Sequence, residues 1–80
     1  MHYVYVIESI KFPSEIYIGL TDDLRKRFAA HNSGQSNHTR KFKPWRLVAY
    51  CAFVNSTTAV AFERYLKSGS GRAFVRKRLY

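Results

Sequence analysis

Apolar and polar positions alternate along the first part of the chain, in the pattern of two short β-strands. Residues His2 to Glu8 carry Val, Ile and Tyr at the density typical of strands. Lys11 to Ser14 interrupt this pattern with a lysine, a proline and a serine, and Glu15 to Gly19 resume it. The sequence therefore predicts a β-hairpin at the start of the chain.

The two predicted strands place their tyrosines on defined faces, because side chains alternate across a strand. Tyr3, Tyr5 and Ile7 share one face of the first strand, and Tyr17 lies on one face of the second. The connecting residues do not fix the register of the two strands. Whether Tyr5 and Tyr17 share a face is therefore open from sequence alone.

A helix is predicted from Asp22 to His31. An N-cap and first-turn acids are supplied by Thr21-Asp22-Asp23. The signal that ends the helix is Asn32-Ser33-Gly34. At 100° per residue, four side chains fall on one continuous arc of this helix. Its apolar end is formed by Leu24 and Phe28, and its polar end by Arg27 and His31.

The rest of the chain predicts one more strand and two more helices. Ser33 to Arg46 is polar and basic and reads as a loop, either ordered or mobile. The apolar run Leu47–Phe53 predicts a third strand, buried on both faces. Helices are predicted from Thr57 to Lys67 and, after a serine- and glycine-rich stop, from Arg72 to Leu79. The predicted order is β-β-α-β-α-α.

Composition and charge limit the kinds of partner this chain can have. Eighty residues with 46% hydrophobic content predict one globular domain over residues 1–80. Fourteen Lys and Arg against five acids give a net charge of +9, which favours a polyanion. Nucleic acid is favoured over membrane because no apolar run approaches the ~18 residues that span a bilayer. A basic surface without a specific partner is the alternative.

The only cysteine, Cys51, excludes an internal disulfide and is predicted to be a small core residue. The chain enters strand-like sequence at once, without an apolar stretch typical of a signal peptide. We therefore expect a reducing cytoplasm as the compartment.

The chain has only five carboxylates, so each can be considered in turn as a possible metal ligand. Four of the five have a structural explanation, at the start of the first helix or beside the hairpin: Asp22, Asp23, Glu8 and Glu15. Glu63 is left over, in the middle of the second predicted helix beside buried positions. It is either a ligand for a hard cation or a surface residue paired with Lys67 four positions later. A two-metal site, which needs several converging carboxylates, is disfavoured.

These residues resemble a known family. Tyr3-Val4-Tyr5 followed by Tyr17-Ile18-Gly19 resembles the paired signature of the GIY-YIG nucleases, with Tyr3 where the signature has glycine. Arg27 and His31 follow at the family's helical spacing, and Glu63 stands in a downstream helix. The end of the chain, from Glu63 onwards, is similar to the short stand-alone bacterial members. The resemblance covers nearly the whole chain.

The resemblance implies a fold and a chemical role for each site residue. The fold would be α+β, with a small three-stranded antiparallel sheet flanked by about three helices. Tyr5 or Tyr17 would orient or deprotonate the attacking water, and Arg27 would hold the scissile phosphate. Glu63 would bind a single Mg²⁺ or Mn²⁺ ion, and His31 would assist by hydrogen bonding or proton transfer.

The resulting hypothesis is a metal-dependent endonuclease that acts on DNA, selects for structure and has low sequence specificity. DNA is preferred over RNA, no membrane is involved, and a homodimer or a targeting partner is expected to complete such a small domain. The alternative is a non-catalytic DNA- or RNA-binding module that keeps the fold. Cations predicted to bind the nucleic acid backbone are Arg40, Lys41, Lys43, Arg46, Arg72, Arg76 and Lys77.

Overall fold

A computed structural model describes residues 1–80 and contains one three-stranded antiparallel sheet and three α-helices. The elements, in chain order, are β1 (His2–Ser9), β2 (Ile16–Thr21), α1 (Leu24–Ser33), a 3₁₀ turn (Arg40–Phe42), β3 (Trp45–Phe53), α2 (Ser56–Lys67) and α3 (Gly69–Phe74), which continues as a π-helical turn (Val75–Leu79). The Cα positions extend over 30 × 26 × 18 Å. The predicted α+β class and sheet are confirmed.

The sheet has the order β2-β1-β3, so β1 is its central strand. Odd-numbered residues of β1 point to a front face, where Tyr5, Ile7 and Trp45 pack against residues of α1. Even-numbered residues point to a back face, where Val4 and Val6 pack against α2 and the C-terminal helical segment. The thin core is therefore divided into two apolar clusters, one on each side of the sheet.

The prediction that Leu47–Phe53 is buried on both faces is wrong. The strand begins earlier, at Trp45, which is its one fully buried residue. Leu47 is 36% exposed and Tyr50 is 54% exposed, and Cys51 is only half-buried rather than a core residue. The reason is that β3 is an edge strand with a single neighbouring strand, which leaves it partly open to solvent. The apolar run thus reflects strand propensity as well as burial.

The helix boundaries follow from their caps. The Asp23 side chain accepts a hydrogen bond from the Lys26 backbone N–H at 3.1 Å, so α1 begins at Leu24, two residues later than predicted. The Ser68 hydroxyl accepts from the Gly71 N–H at 3.1 Å, so the last helix begins at Gly69 rather than Arg72. This serine cap offsets the low helix propensity of the two glycines that follow.

A buried carboxylate fixes the C-terminal residue to the sheet. Glu8, at the end of β1, accepts a hydrogen bond from Arg46 Nε at 2.7 Å and one from the Tyr80 hydroxyl at 3.0 Å. Glu8 is therefore a structural residue, which agrees with its elimination as a metal ligand. None of the helices is long and apolar enough to cross a membrane.

Candidate functional site

The register of the β1–β2 hairpin brings Tyr5 and Tyr17 onto the same face of the sheet. Tyr5 pairs with Gly19, and Ile7 pairs with Tyr17, so the two tyrosines are diagonal neighbours on adjacent strands. Their ring centroids lie 6.3 Å apart on the front face. The structure thus answers the question that the sequence left open.

Gly19 makes this arrangement possible because the Tyr5 ring lies directly over its backbone. A Cβ atom at position 19 would lie 2.3 Å from the Tyr5 hydroxyl oxygen and 2.4 Å from Cζ. Tyr5 is only 1% exposed and its hydroxyl is hydrogen bonded, so the ring has no free space into which it can move. The glycine is therefore required by close packing.

Replacing Gly19 by alanine is expected to lower the free energy of unfolding by about 1–3 kcal/mol, the usual cost of forcing an extra methyl into a packed core. It should also move the Tyr5 hydroxyl away from its partner. Gly69→Ala is the matched control, because nothing lies within 4 Å of a Cβ atom there. Urea unfolding of both variants tests the expectation, and equal stabilities would contradict it.

His31 lies beneath the tyrosines, fully buried at the end of α1. Its Nε2 atom is 2.7 Å from the Tyr5 hydroxyl, and its Nδ1 atom is 2.6 Å from Oγ1 of Thr39. The imidazole ring also lies 5.1 Å from the Tyr17 ring, centroid to centroid. The predicted helical arc therefore does bring His31 to the tyrosines.

Burial sets the charge states of these two groups. Burial, helped by the positive charge of Arg27, lowers the pKa of His31 to about 4, so the imidazole is neutral at pH 7. Burial also raises the pKa of Tyr5, although hydrogen bonding from Arg27 opposes that rise. Tyr5 is therefore a neutral phenol at neutral pH, and His31 is a neutral partner for it.

Arg27 connects the buried hydroxyls to solvent. Hydrogen bonding with Tyr5 raises the pKa of Arg27, and interactions with Tyr17 add to the rise. On its outer side, Arg27 lines an open groove of about 310 Å³ together with Lys26 and the residues just before α1, Thr21 to Asp23. A fixed guanidinium at such a position can meet a phosphate from solvent while it contacts the tyrosines.

Glu63 is paired with Lys67 on the surface of α2. Its carboxylate is 2.9 Å from Lys67 Nζ, the surface ion pair that the sequence allowed. Burial is the main cause of the raised pKa of Tyr5, and the negative charge of Glu63 is the smallest of the other contributions to it. Its side chain is 18% exposed, which leaves it accessible from solvent.

A divalent ion fits this site only with ligands from water or substrate. No group of three or more His, Cys, Asp or Glu side chains is placed to hold a metal ion. Mg²⁺ commonly binds through one or two carboxylates and completes its coordination with water and phosphate oxygens. Glu63 alone meets that requirement, provided that Lys67 gives up its contact.

The predicted nucleic-acid-binding cations are divided between the two sides of the sheet. Arg40, Lys41 and Lys43 belong to the segment that packs on the front face, next to buried Thr39 and Trp45. The other four lie on the back-face side or in the C-terminal helical segment: Arg46, Arg72, Arg76 and Lys77. Arg46 is also bound to Glu8. The structure therefore brings three of the seven to the tyrosine side.

Sequence reasoning missed Thr39 and left the state of its loop open. Thr39 is fully buried, and its carbonyl oxygen accepts a hydrogen bond from the Trp45 indole N–H at 2.9 Å. Trp45 is 4% exposed, so it is a core residue rather than a platform for bases. The polar composition around Thr39 carries no periodic signal that would have marked it as buried.

Comparisons with known proteins identify the family of this chain. The chain matches the GIY-YIG catalytic domain family over residues 1–78. It is 35% identical over 72 residues to a UPF0213 protein of Streptococcus pyogenes serotype M3, covering 89% of this chain and 76% of that protein. It is 34% identical over 68 residues to a UPF0213 protein of Haloquadratum walsbyi, covering 84% and 74%.

A solved structure is similar along almost the whole chain. The solution NMR structure of the UPF0213 protein BH0048 from Bacillus halodurans matches with a TM-score of 0.59 and 33% identity. The match covers 98% of this chain and 85% of that one.

Proposed function

Because the chain belongs to the GIY-YIG catalytic domain family, a nuclease superfamily, we propose that it is a metal-dependent endonuclease that hydrolyses DNA phosphodiester bonds. One observation carries the proposal. Two tyrosine hydroxyls, a neutral histidine and an arginine meet on one face of a small sheet. The guanidinium lies beside the tyrosines and also lines a groove that is open to solvent, where a phosphate can reach it.

Tyr17 is the tyrosine that contacts the attacking water in this proposal. Tyr5 is 1% exposed and already bonded to His31, so little of it is accessible to solvent. Tyr17 is only half-buried and lies at the open side of the cluster. Tyr17 would therefore orient the water or accept its proton, while Tyr5 and His31 would hold the arrangement in place.

Charge stabilisation is assigned to Arg27. Hydrolysis builds negative charge on the phosphate oxygens, and a fixed guanidinium stabilises it without reorganising. When bound, a divalent ion held by Glu63 would supply further stabilisation of that negative charge.

Three neighbouring cations support a nucleic acid as the substrate, bound over a short stretch of its backbone. Arg40, Lys41 and Lys43 present charge beside the tyrosine site, and such contacts position a backbone without reading its sequence. Because contacts of this kind carry no sequence information, we propose low sequence specificity and selection for DNA structure. Residues 1–80 acting as one domain, a homodimer or targeting partner, and cytoplasmic localisation remain predictions.

The test is cleavage of labelled duplex, single-stranded and branched DNA in the presence of Mg²⁺ or Mn²⁺. Tyr17→Phe removes one hydroxyl and Glu63→Gln removes one charge, with almost no change in shape. Each is expected to lower the cleavage rate about 10²-fold, in the range of a lost acid–base or metal contact. Lys67→Gln, which alters the ion pair but keeps the carboxylate, serves as the matched control and should keep cleavage.

The rival function is a non-catalytic DNA- or RNA-binding module. The partial occupation of Glu63 by Lys67 favours it, because a paired carboxylate is less available to a metal. Both functions predict binding that weakens with salt, so salt does not separate them. Binding without cleavage of any of the three DNA forms would establish the rival, whereas equal cleavage by all variants would contradict the roles proposed for Tyr17 and Glu63.

A further inference from the structure

A second groove lies on the front face, between β3 and the start of α1. Its volume is about 450 Å³, within the roughly 300–1,000 Å³ of ordinary ligand sites. The sheet contributes Tyr3, Leu47 and Tyr50 to its lining, and the turn before α1 contributes Asp22 and Asp23. We call it the aromatic groove. None of the side chains given a role in cleavage lines it, so the mechanism leaves its composition unexplained.

Two tyrosine rings line the aromatic groove on the side of the sheet. Tyr50 is 54% exposed, and its ring meets the Tyr3 ring edge to face, with the centroids 6.1 Å apart. This contact restricts the Tyr50 ring while much of its surface stays open to solvent. Nucleic acid bases stack on exposed aromatic rings, because every base has a flat π-face. The groove therefore fits a flat, mainly apolar ligand of this kind.

The charges of the aromatic groove are unusual for this protein. Two of the five acidic residues line it, Asp22 and Asp23, in a chain whose net charge is +9. Arg25 also borders the groove, so two carboxylates against one guanidinium leave one net negative charge. Asp22 is exposed and forms no salt bridge. Carboxylates disfavour a phosphate at this place, but they accept hydrogen bonds from the amino groups of bases.

The aromatic groove adjoins the tyrosine site. Tyr50 pairs directly with Tyr5 across β1 and β3, so both side chains lie on the front face. Asp22 and Asp23 also line the groove that contains Arg27, so the two grooves share a wall. A strand whose phosphate meets Arg27 on one side of this wall can place the base of a nearby nucleotide on the other side.

We propose that the aromatic groove binds an unpaired base of the DNA strand, stacked on Tyr50 and hydrogen-bonded through its amino group to Asp22. A base in a duplex is paired and stacked, and its removal costs free energy, so single-stranded, frayed or branched DNA is the favoured source. Thymine lacks an amino group and should bind weakest. The inference deepens the proposed function and rests on it only for the link to cleavage.

Binding is measured by fluorescence anisotropy in EDTA, so that no strand is cut. The probes are single strands of about ten deoxycytidines or ten thymidines and a duplex of the same length. Tyr50→Ala is expected to weaken binding of the deoxycytidine strand about 10-fold, as for one lost base–aromatic stack, with little change for the duplex. Tyr50→Phe should keep most of the affinity. Tyr65→Ala, at a 43% exposed tyrosine of α2, is the matched control and should bind as the wild type does.

The role of Asp22 has its own readout in the ratio of two affinities. The wild-type protein should prefer the deoxycytidine strand over the thymidine strand about 5-fold, which is typical of one hydrogen bond. Asp22→Asn should bring this ratio towards one, whatever it does to binding in general. An unchanged ratio in Asp22→Asn overturns the amino-group contact. Single-strand affinity that is unchanged in Tyr50→Ala, or lost equally for the duplex, overturns the base site.

The rival occupant of the aromatic groove is a second copy of the chain. A dimer in sedimentation velocity that Tyr50→Ala loses, with single-strand binding unchanged, would assign the groove to that copy and overturn the proposal. Cleavage assays separate the base site from the proposed function. If Tyr50→Ala loses single-strand binding and no protein cleaves DNA, the base site stands and the nuclease function fails. If DNA is cleaved and Tyr50→Ala binds the single strand normally, the reverse holds.

Discussion

Replacing Arg27 by alanine is expected to slow DNA cleavage about 10³-fold, the upper range for loss of one charge-stabilising donor at a reacting centre. The guanidinium contacts Tyr5 and Tyr17 on one side and lines a solvent-facing groove on the other. Its removal takes away the positive charge that would stabilise the phosphate oxygens as negative charge builds on them. Single-turnover cleavage of labelled DNA measures the effect, because it isolates the chemical step.

Arg25→Ala is the matched control for this experiment. Arg25 lies on the same helix with the same charge but is exposed and is not among the groups that act on Tyr5. It should change binding slightly and cleavage little. Arg27→Lys should recover only part of the rate, since an ammonium cannot hold two partners in one plane. Equal rates for Arg25→Ala and Arg27→Ala would remove Arg27 from the mechanism.

Acid is expected to destabilise the folded protein through His31. In the unfolded chain a histidine has a pKa near 6.5, whereas burial lowers the pKa of His31 to about 4 in the fold. Between these values the unfolded state binds more protons, so the free energy of unfolding falls as the pH falls. The difference in pKa corresponds to about 3 kcal/mol, lost mainly between pH 6.5 and 4.

Urea unfolding at a series of pH values measures this loss. His31→Gln keeps a polar side chain that does not titrate, so its stability should change less across the same pH interval. The difference between the two curves isolates His31 from the carboxylates, which also titrate in acid. Parallel curves for the two proteins would show that His31 does not carry the acid sensitivity.

The sequence alone was sufficient for the order of the elements and for most of the tyrosine site. The alternation of a strand and the periodicity of a helix depend only on residues close together in the sequence. A repeat of 3.6 residues per turn is enough to place Arg27 and His31 on one arc of a helix. The pairing of Tyr5 with Gly19 was not predictable, because register depends on the loop between the strands. The family resemblance named the site residues, but only the register explains why they meet.

The remaining differences all involve contacts between distant parts of the chain. Thr39 and Trp45 are buried by their mutual contact and by His31, which no local pattern records. The predicted nucleic-acid-binding cations do not all lie on one side of the sheet. The side chain of Arg46, for example, points to the back face, where it pairs with Glu8. Burial of β3 was overestimated because its place at the sheet edge is a property of the topology.

The small dimensions of the fold set a limit on how much DNA one copy can cover. The Cα positions extend no further than 30 Å in any direction, which is less than one turn of duplex, about 34–36 Å. A footprint of this length spans fewer than about ten base pairs. Short duplexes of roughly one turn, with a nick or branch at the centre, should therefore make every contact that a long substrate makes.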